Sequence, residues 1–213
     1  CSASRVLFVQ NEIAAPVIRV LAAAMQEIQI GDPVLLASDV GPLIDQDAAR
    51  SLQPHVARLQ REARLLQRID PPQNLQAGCF FPLQAFELES LALLEKEVFG
   101  PVLHVVRYGA DKLERVIDAV NNTGYGLTLG VHSRIEETWL RVQARARVGN
   151  LYINRNMIGA VVGSQPFGGE GLSGTGPKAG GPYYLHRFAT ERTLSVNTAA
   201  VRGNTGLLSL PED

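Results

Sequence analysis

Residues 149–182, GNLYINRNMIGAVVGSQPFGGEGLSGTGPKAGGP, carry half of the chain's 20 glycines and almost no charge. Glycine has no Cβ, so such a stretch can take positive φ and let other groups approach its backbone closely. The run Asn150-Leu-Tyr-Ile-Asn154 reads as a buried strand that empties into this glycine-rich loop. A loop launched from the end of a buried strand is where α/β proteins place substrate contacts. Structureless loops longer than about 12–15 residues are usually functional or disordered. Ile158, Val161, Val162 and Phe167 make this one too apolar for disorder. The rest of the chain is therefore expected to present and support this loop.

A hydrophobic fraction of 46% over 213 residues supplies a real core, in one large domain or a domain and a half. The net charge of -1 offers no global attraction for nucleic acid or an anionic membrane. No run approaches about 18 apolar residues, so no helical span is expected, and no secretory leader pattern is in view. Cys1 and Cys79 form neither a metal spacing nor a disulfide framework, which suits a reduced, cytoplasmic setting. A first residue of Cys admits three explanations: a lipidated terminus, an autoprocessed N-terminal nucleophile, or a piece of a longer chain. Arg5-Val-Leu-Phe-Val9 is strand-like at once, which argues against a lipoprotein tether.

Residues 5–9 predict a buried strand. Residues 12–29 predict an amphipathic helix with Val17, Leu21, Ala24 and Ile28 on one face, Pro16 in the first turn and Gly31 at the end. Asp45 reads as the cap of a helix running to about Arg68 and carrying Arg50, His55, Arg58, Arg61, Arg64 and Arg68. No aromatic residues interleave with these cations, so a solvated face is favoured over a nucleic-acid surface. Residues 79–86 read as a strand that Pro82 assigns to an edge or a bulge. A short helix is expected within 89–95, strands at 102–108, 127–132 and 149–153, and helices at 111–122 (capped by Asp111), 135–147 and 182–188. Alternating strands and helices predict a parallel α/β sheet. Thr190–Asn197 alternates polar and apolar residues as a two-faced strand with no partner in its own sheet, which invites pairing with another chain.

For chemistry, a Cys1 thiolate would be a strong nucleophile at neutral pH, although a lone cysteine is more often inert. Cys79 reads as packing. His55, His104, His132 and His186 show no metal-pair spacing, so no metal is expected. There is no Ser/His/Asp pattern and no GxGxxG after a strand. Gly171-Leu-Ser-Gly-Thr-Gly176 imitates a phosphate loop but lacks the Lys-Ser/Thr pair and the following apolar helix. Glu97 and Phe99, two residues apart before a Gly-Pro turn, point the same way in extended chain. The carboxylate could accept from ribose hydroxyls while the ring packs on a flat heterocycle. Taken alone, they read first as a surface glutamate and a core phenylalanine.

These pieces together resemble the aldehyde dehydrogenase superfamily. The matching stretches are Cys1-Ser-Ala, the Gly31–Asp45 loop, Glu97-Val-Phe-Gly-Pro-Val102, Asn121-Asn-Thr-Gly-Tyr-Gly-Leu127, Gly149-Asn-Leu-Tyr-Ile-Asn154 and Pro166-Phe-Gly-Gly through Ser173-Gly-Thr-Gly176. They come in the family's order and cover essentially the whole chain. Residues 154–182 are similar, more narrowly, to the L-glutamate γ-semialdehyde dehydrogenase module of the bifunctional proline utilization A flavoenzymes, and so is the ending from Thr190.

The resemblance implies a Rossmann-like parallel α/β catalytic domain over 1–188, truncated at its N-terminus and including a substrate anchor loop at 155–182. Residues 189–213 would be an oligomerisation flap strand and tail. It implies that Cys1 is the catalytic nucleophile, that Glu97 and Phe99 hold the nicotinamide end of NAD, and that Ser2, Gly159, Ala160 and Phe167 bind substrate. FAD would belong only to a proline dehydrogenase module outside this sequence. The aldehyde dehydrogenase's own nucleotide-binding domain, the glutamate that activates water and the asparagine that helps hold the oxyanion would also lie outside this sequence. The chain is accordingly expected to be a fragment, inactive and prone to aggregate alone, whose partners are a small aldehyde and further copies of the parent. Two rivals stand beside it: an N-terminal-nucleophile amidohydrolase, whose folds stack antiparallel sheets, and a non-catalytic assembly module, against which the intact Cys1, Glu97 and Phe99 argue.

Overall fold

A computed structural model of the chain describes residues 2–75 and 78–197. Its main sheet has four strands in the order β1-β4-β3-β2, with β1 at Val6–Gln10, β2 at Arg64–Ile69, β3 at Leu83–Leu88 and β4 at Val102–Tyr108. β1 and β3 both run parallel to β4, and β2 is an antiparallel edge. This is the parallel arrangement that the alternation of elements predicts, and not the stacked antiparallel sheets of an N-terminal-nucleophile hydrolase.

The two faces of the sheet are covered by two helices, α1 (Asn11–Gln26) and α2 (Gln46–Glu62). Side-chain alternation sends Val9 and Val105 toward α1, where they bury Ala14 and pack on Val17, Ile18 and Leu21. The opposite face sends Phe86, Leu88, Val102 and Val106 against Leu52, Val56 and Leu59 of α2. Phe86, Leu52 and Leu59 are almost fully buried, and each such side chain contributes about 1.5–3 kcal/mol relative to exposure. A smaller unit follows: β6 (Thr128–Val131) and β7 (Asn150–Ile153) pair in parallel, and α3 (Leu113–Asn122) and α4 (Glu136–Arg145) pack on them through Leu113, Ile117 and Val142. Two short strands, β5 (Tyr125–Gly126) and β8 (Glu170–Gly171), pair antiparallel.

Several boundaries differ from the sequence expectation, each for a local reason. α1 starts at Asn11, so Pro16 falls in its second turn rather than its first, and the helix stops at Gln26 before Gly31. Its buried face runs through Ala14 and Met25, leaving Ala24 exposed. Asp45 does cap α2, accepting from Ala48 N at 2.8 Å, but the helix ends at Glu62. The backbone turns extended at Ala63, and Arg64–Ile69 leaves the helix to pair with β3. The arginines are thus dispersed: Arg64 and Arg68 lie in β2, with partners Glu87 and Asp70, while Arg58 reaches the Leu93 carbonyl and Glu95. Pro82 precedes β3, which is an interior strand; the irregularity lies opposite it, between Leu65 and Gln67 of β2. Asp111 sits in a 3₁₀ turn and pairs with Lys112 instead of capping α3. Leu91–Leu93 and Tyr184–Phe188 are 3₁₀ segments. Residues 190–197 form no strand within the described residues and are exposed throughout.

Candidate active site

Two clusters carry the residues that the sequence singles out. The first is built where β4 begins. Gly100 has φ +154, and a Cβ there would stand 2.8 Å from Leu52 Cδ2. The turn can therefore press on α2 only because this residue is glycine. The turn carries Glu97 and Phe99 out beside the start of β1. There Arg5 joins them: Nη1 lies 3.7 Å from Glu97 Oε1, and the guanidinium carbon is 4.9 Å from the centre of the Phe99 ring. Phe99 remains 66% exposed, so its other surface is open.

Behind Arg5 lies a buried histidine pair. The Arg5 carbonyl accepts from the backbone N–H of His104 at 3.1 Å and faces His104 Nδ1 at 2.9 Å. A carbonyl can only accept, so Nδ1 carries the proton and His104 Nε2 is left as an acceptor. His55 Nε2, 2.9 Å away, must then donate to it. His104 is 1% exposed, and burial pushes its pKa down to about 4, against the opposing effect of its bond to the Arg5 backbone. His55 is also pushed below its ordinary value, first by burial and then by Arg58, Arg5 and Lys96. Both rings are thereby neutral near pH 7.

The second cluster is the glycine-rich loop. Asn154, at φ +54, ends β7 by accepting from Ser133 N and donating to Ser133 O, both at 2.9 Å. The loop then folds on itself. Val161 and Gln165 exchange backbone bonds, as do Phe167 and Ala179, and Gly163 N donates to Gly180 O. Buried Asn150 holds the returning limb, donating to Pro166 O at 3.0 Å and accepting from Gly168 N at 3.3 Å. Ser173 Oγ accepts from Gly126 N at 3.0 Å, so the phosphate-loop look-alike is a packing element. At the outer turn Gly159 has φ +86 with open space where a Cβ would be. Among the described residues no backbone carbonyl accepts from the amides of Gly159 or Ala160.

The structure thus brings Glu97 and Phe99 together and sets Gly159, Ala160 and half-buried Phe167 on one folded loop. Ser2 is half-buried just before β1, and Cys1 lies outside the described residues. Beside β7 an open cleft is lined by Tyr152, Arg155 and Lys178 among others, and by none of the predicted substrate residues. Among the described residues no three His, Cys, Asp or Glu side chains gather as a metal site, and no helix is long and apolar enough to cross a membrane. Arg5, Asn150 and the His55–His104 pair were not legible as site residues. Their only signal is a polar residue within or beside an apolar run, in strands for His104 and Asn150, just before β1 for Arg5 and on helix α2 for His55.

The fold and this arrangement define a mainly parallel α/β domain with a folded glycine-rich loop and an exposed carboxylate–aromatic pair. The sequence profile described as "Aldehyde dehydrogenase family" matches residues 1–194, and the chain belongs to that family. It is 50% identical over 208 residues to the bifunctional protein PutA of Salmonella typhimurium, which covers 95% of this chain and 16% of that protein. Among solved structures, a mutant of Bradyrhizobium japonicum proline utilization A superposes with a TM-score of 0.86 at 56% identity, covering 95% of this chain and 20% of the other. A 1-pyrroline-5-carboxylate dehydrogenase from Thermus with bound NAD superposes at 0.77, with 32% identity, covering 88% of this chain and 36% of that one. The chain therefore spans a small part of the length of the relatives it matches.

Proposed function

We propose that this chain is the nucleophile-bearing part of an NAD-dependent dehydrogenase that oxidises L-glutamate γ-semialdehyde, the open form of 1-pyrroline-5-carboxylate, to L-glutamate. The observation that carries the substrate reading is the outer turn of the loop. Gly159 and Ala160 offer two consecutive backbone amides that no backbone carbonyl takes among the described residues, beside the open space where a Gly159 Cβ would stand. Successive amides of this kind suit a carboxylate, and the substrate has an α-carboxylate at the end remote from its aldehyde. Phe167 would pack on the methylenes between the two, and the Ser2 hydroxyl would add a donor to the carboxylate.

In this reading the Cys1 thiolate adds to the aldehyde carbon, and the carbonyl oxygen takes up the displaced electron pair as an oxyanion. The Cys1 backbone N–H stabilises that charge. A bound nicotinamide dinucleotide supplies hydride acceptance. The acyl group left on the Cys1 sulfur is a thioester, and water releases it as the carboxylate product. Glu97 and Phe99 fit the nicotinamide end of such a cofactor. The Glu97 side chain stays 43% exposed for ribose hydroxyls, and Phe99 stays 66% exposed for a flat ring to pack on.

The deciding experiment is NAD reduction by the complete gene product with glutamate γ-semialdehyde, before and after Cys1→Ala. Turnover that disappears in the variant supports the nucleophile. Turnover that survives it moves the chemistry elsewhere. Activity with simple aldehydes alone would leave the dehydrogenase and remove the carboxylate anchor. Residues 189–213 are assigned to subunit pairing, since Leu194 and Val196 stand 79% and 60% exposed. Deleting 190–213 should lower the gene product's mass by light scattering, and an unchanged mass would refute the assignment.

A further inference from the structure

We propose that Arg5 is a positioning residue for the cofactor end of this site, and that the buried His55–His104 pair holds Arg5 in place. The proposal rests on the reading of Glu97 and Phe99 just given. Those two side chains sit on an exposed turn, and among the described residues neither makes an ion pair, side-chain hydrogen bond or ring contact with any side chain but Arg5. The Glu97 side chain is 43% exposed and the Phe99 residue 66% exposed. Free, each would sample several rotamers, and ordering a rotamer-rich side chain opposes binding. Arg5 makes an ion pair with the first and a cation–π contact with the second, from one planar group. It therefore fixes their separation and leaves the outer surface of each for a ligand.

Arg5 can serve this way because its own backbone is anchored. Its carbonyl takes two bonds from His104, whose remaining nitrogen is occupied by His55. Its side chain is only 22% exposed, and burial lowers the guanidinium pKa, with Glu97 opposing the shift. A group desolvated this far is not a solvent-waving surface arginine. Its Nε is buried and has no hydrogen-bond partner.

The test uses the complete gene product and measures NAD affinity by calorimetry without aldehyde, together with separate KM values for NAD and aldehyde. Arg5→Met should weaken NAD binding and raise its KM roughly tenfold, with the aldehyde KM and the melting temperature nearly unchanged. Arg5→Lys, which keeps the charge, should recover most of the affinity. Should Arg5→Met fail to fold, Arg5→Gln decides the same question with a smaller loss of polarity. Unchanged NAD affinity in a folded Met or Gln variant overturns the proposal. A loss that Lys does not rescue and that follows the melting temperature overturns it too, as a purely structural effect. If the unaltered protein binds no NAD, the underlying function reading fails instead.

Discussion

The Asn150 side chain donates to the Pro166 carbonyl at 3.0 Å, joining the first residue of β7 to the returning limb of the loop that β7 launches. The same carboxamide accepts from Gly168 N. One buried side chain therefore satisfies two backbone groups that would otherwise be desolvated without partners. Asn150→Ala should cost about 2–3 kcal/mol by leaving both unpaired. Asn150→Asp removes the donor and keeps the acceptor, so it should loosen Pro166 more than Gly168. Thermal melting measures the first effect, and proteolysis within 155–182 measures the second. A melt unchanged in Asn150→Ala would show that the loop is held elsewhere.

Two glycines of the same stretch should respond in opposite ways. At Gly149 an added Cβ runs into the Gly168 carbonyl and stands 2.9 Å from Gly169 Cα, so Gly149→Ala forces two backbone segments apart. Overpacking of this kind costs about 1–3 kcal/mol, and the melting temperature should fall accordingly. At Gly159 nothing stands within 4 Å of a Cβ. Gly159→Ala meets only the strain of positive φ, about 1 kcal/mol. Its main effect should be a raised KM for an aldehyde carrying a carboxylate, with little change for one that lacks it. Equal losses with both aldehydes would separate Gly159 from carboxylate binding.

How far the sequence discloses this arrangement depends on whether the relevant physics is local. The strand at 102–108 and the Asp45 cap are local, set by an apolar run between turns and by a short side chain before a helix, and both stand where they are expected. The end of α2 is not local. Arg64–Ile69 continues a helical pattern of leucines and arginines, and only pairing with β3 draws it into a strand. The interior position of β3 follows from topology, which Pro82 alone misreads. At the site, Glu97 and Phe99 are legible because two residues of spacing place them together. Arg5, more than ninety positions away, joins them only through the β1–β4 register. His55 and His104 meet across 49 positions for the same kind of reason.

Leu52 and Gly100 should be energetically coupled. Leu52 is 1% exposed, and its methyl groups occupy the space that a side chain at residue 100 would need. Leu52→Ala should cost about 2–5 kcal/mol through the cavity it opens. In that background Gly100→Ala should be less harmful than in the unaltered protein, because the clash is relieved while the strain at φ +154 remains. A double-mutant cycle should return an interaction of at least about 0.5 kcal/mol. Strict additivity would mean that the turn does not press on α2.

The histidine pair predicts a specific acid sensitivity. His104 titrates near its ordinary value of 6.5 in the unfolded chain but is pushed down to about 4 in the fold, so the unfolded state takes up the proton first. Its contribution is therefore fully present above about pH 6.5. It declines as the pH falls toward 4 and then levels off, amounting in all to about 3 kcal/mol. The charged groups facing the pair reinforce this sign. Arg5 opposes protonation of both rings, Arg58 and Lys96 oppose that of His55, and His55 opposes that of His104. His104→Asn would retain a side-chain donor for the Arg5 carbonyl while removing the titration. Melting temperatures of the two proteins between pH 7.5 and 4 (a range chosen to bracket about 6.5 and about 4) should converge as the solution is acidified, with the unaltered protein losing the more. Parallel curves would mean that the pair stays solvated and titrates normally. The Arg5 clasp would then be fixed by β1–β4 pairing alone.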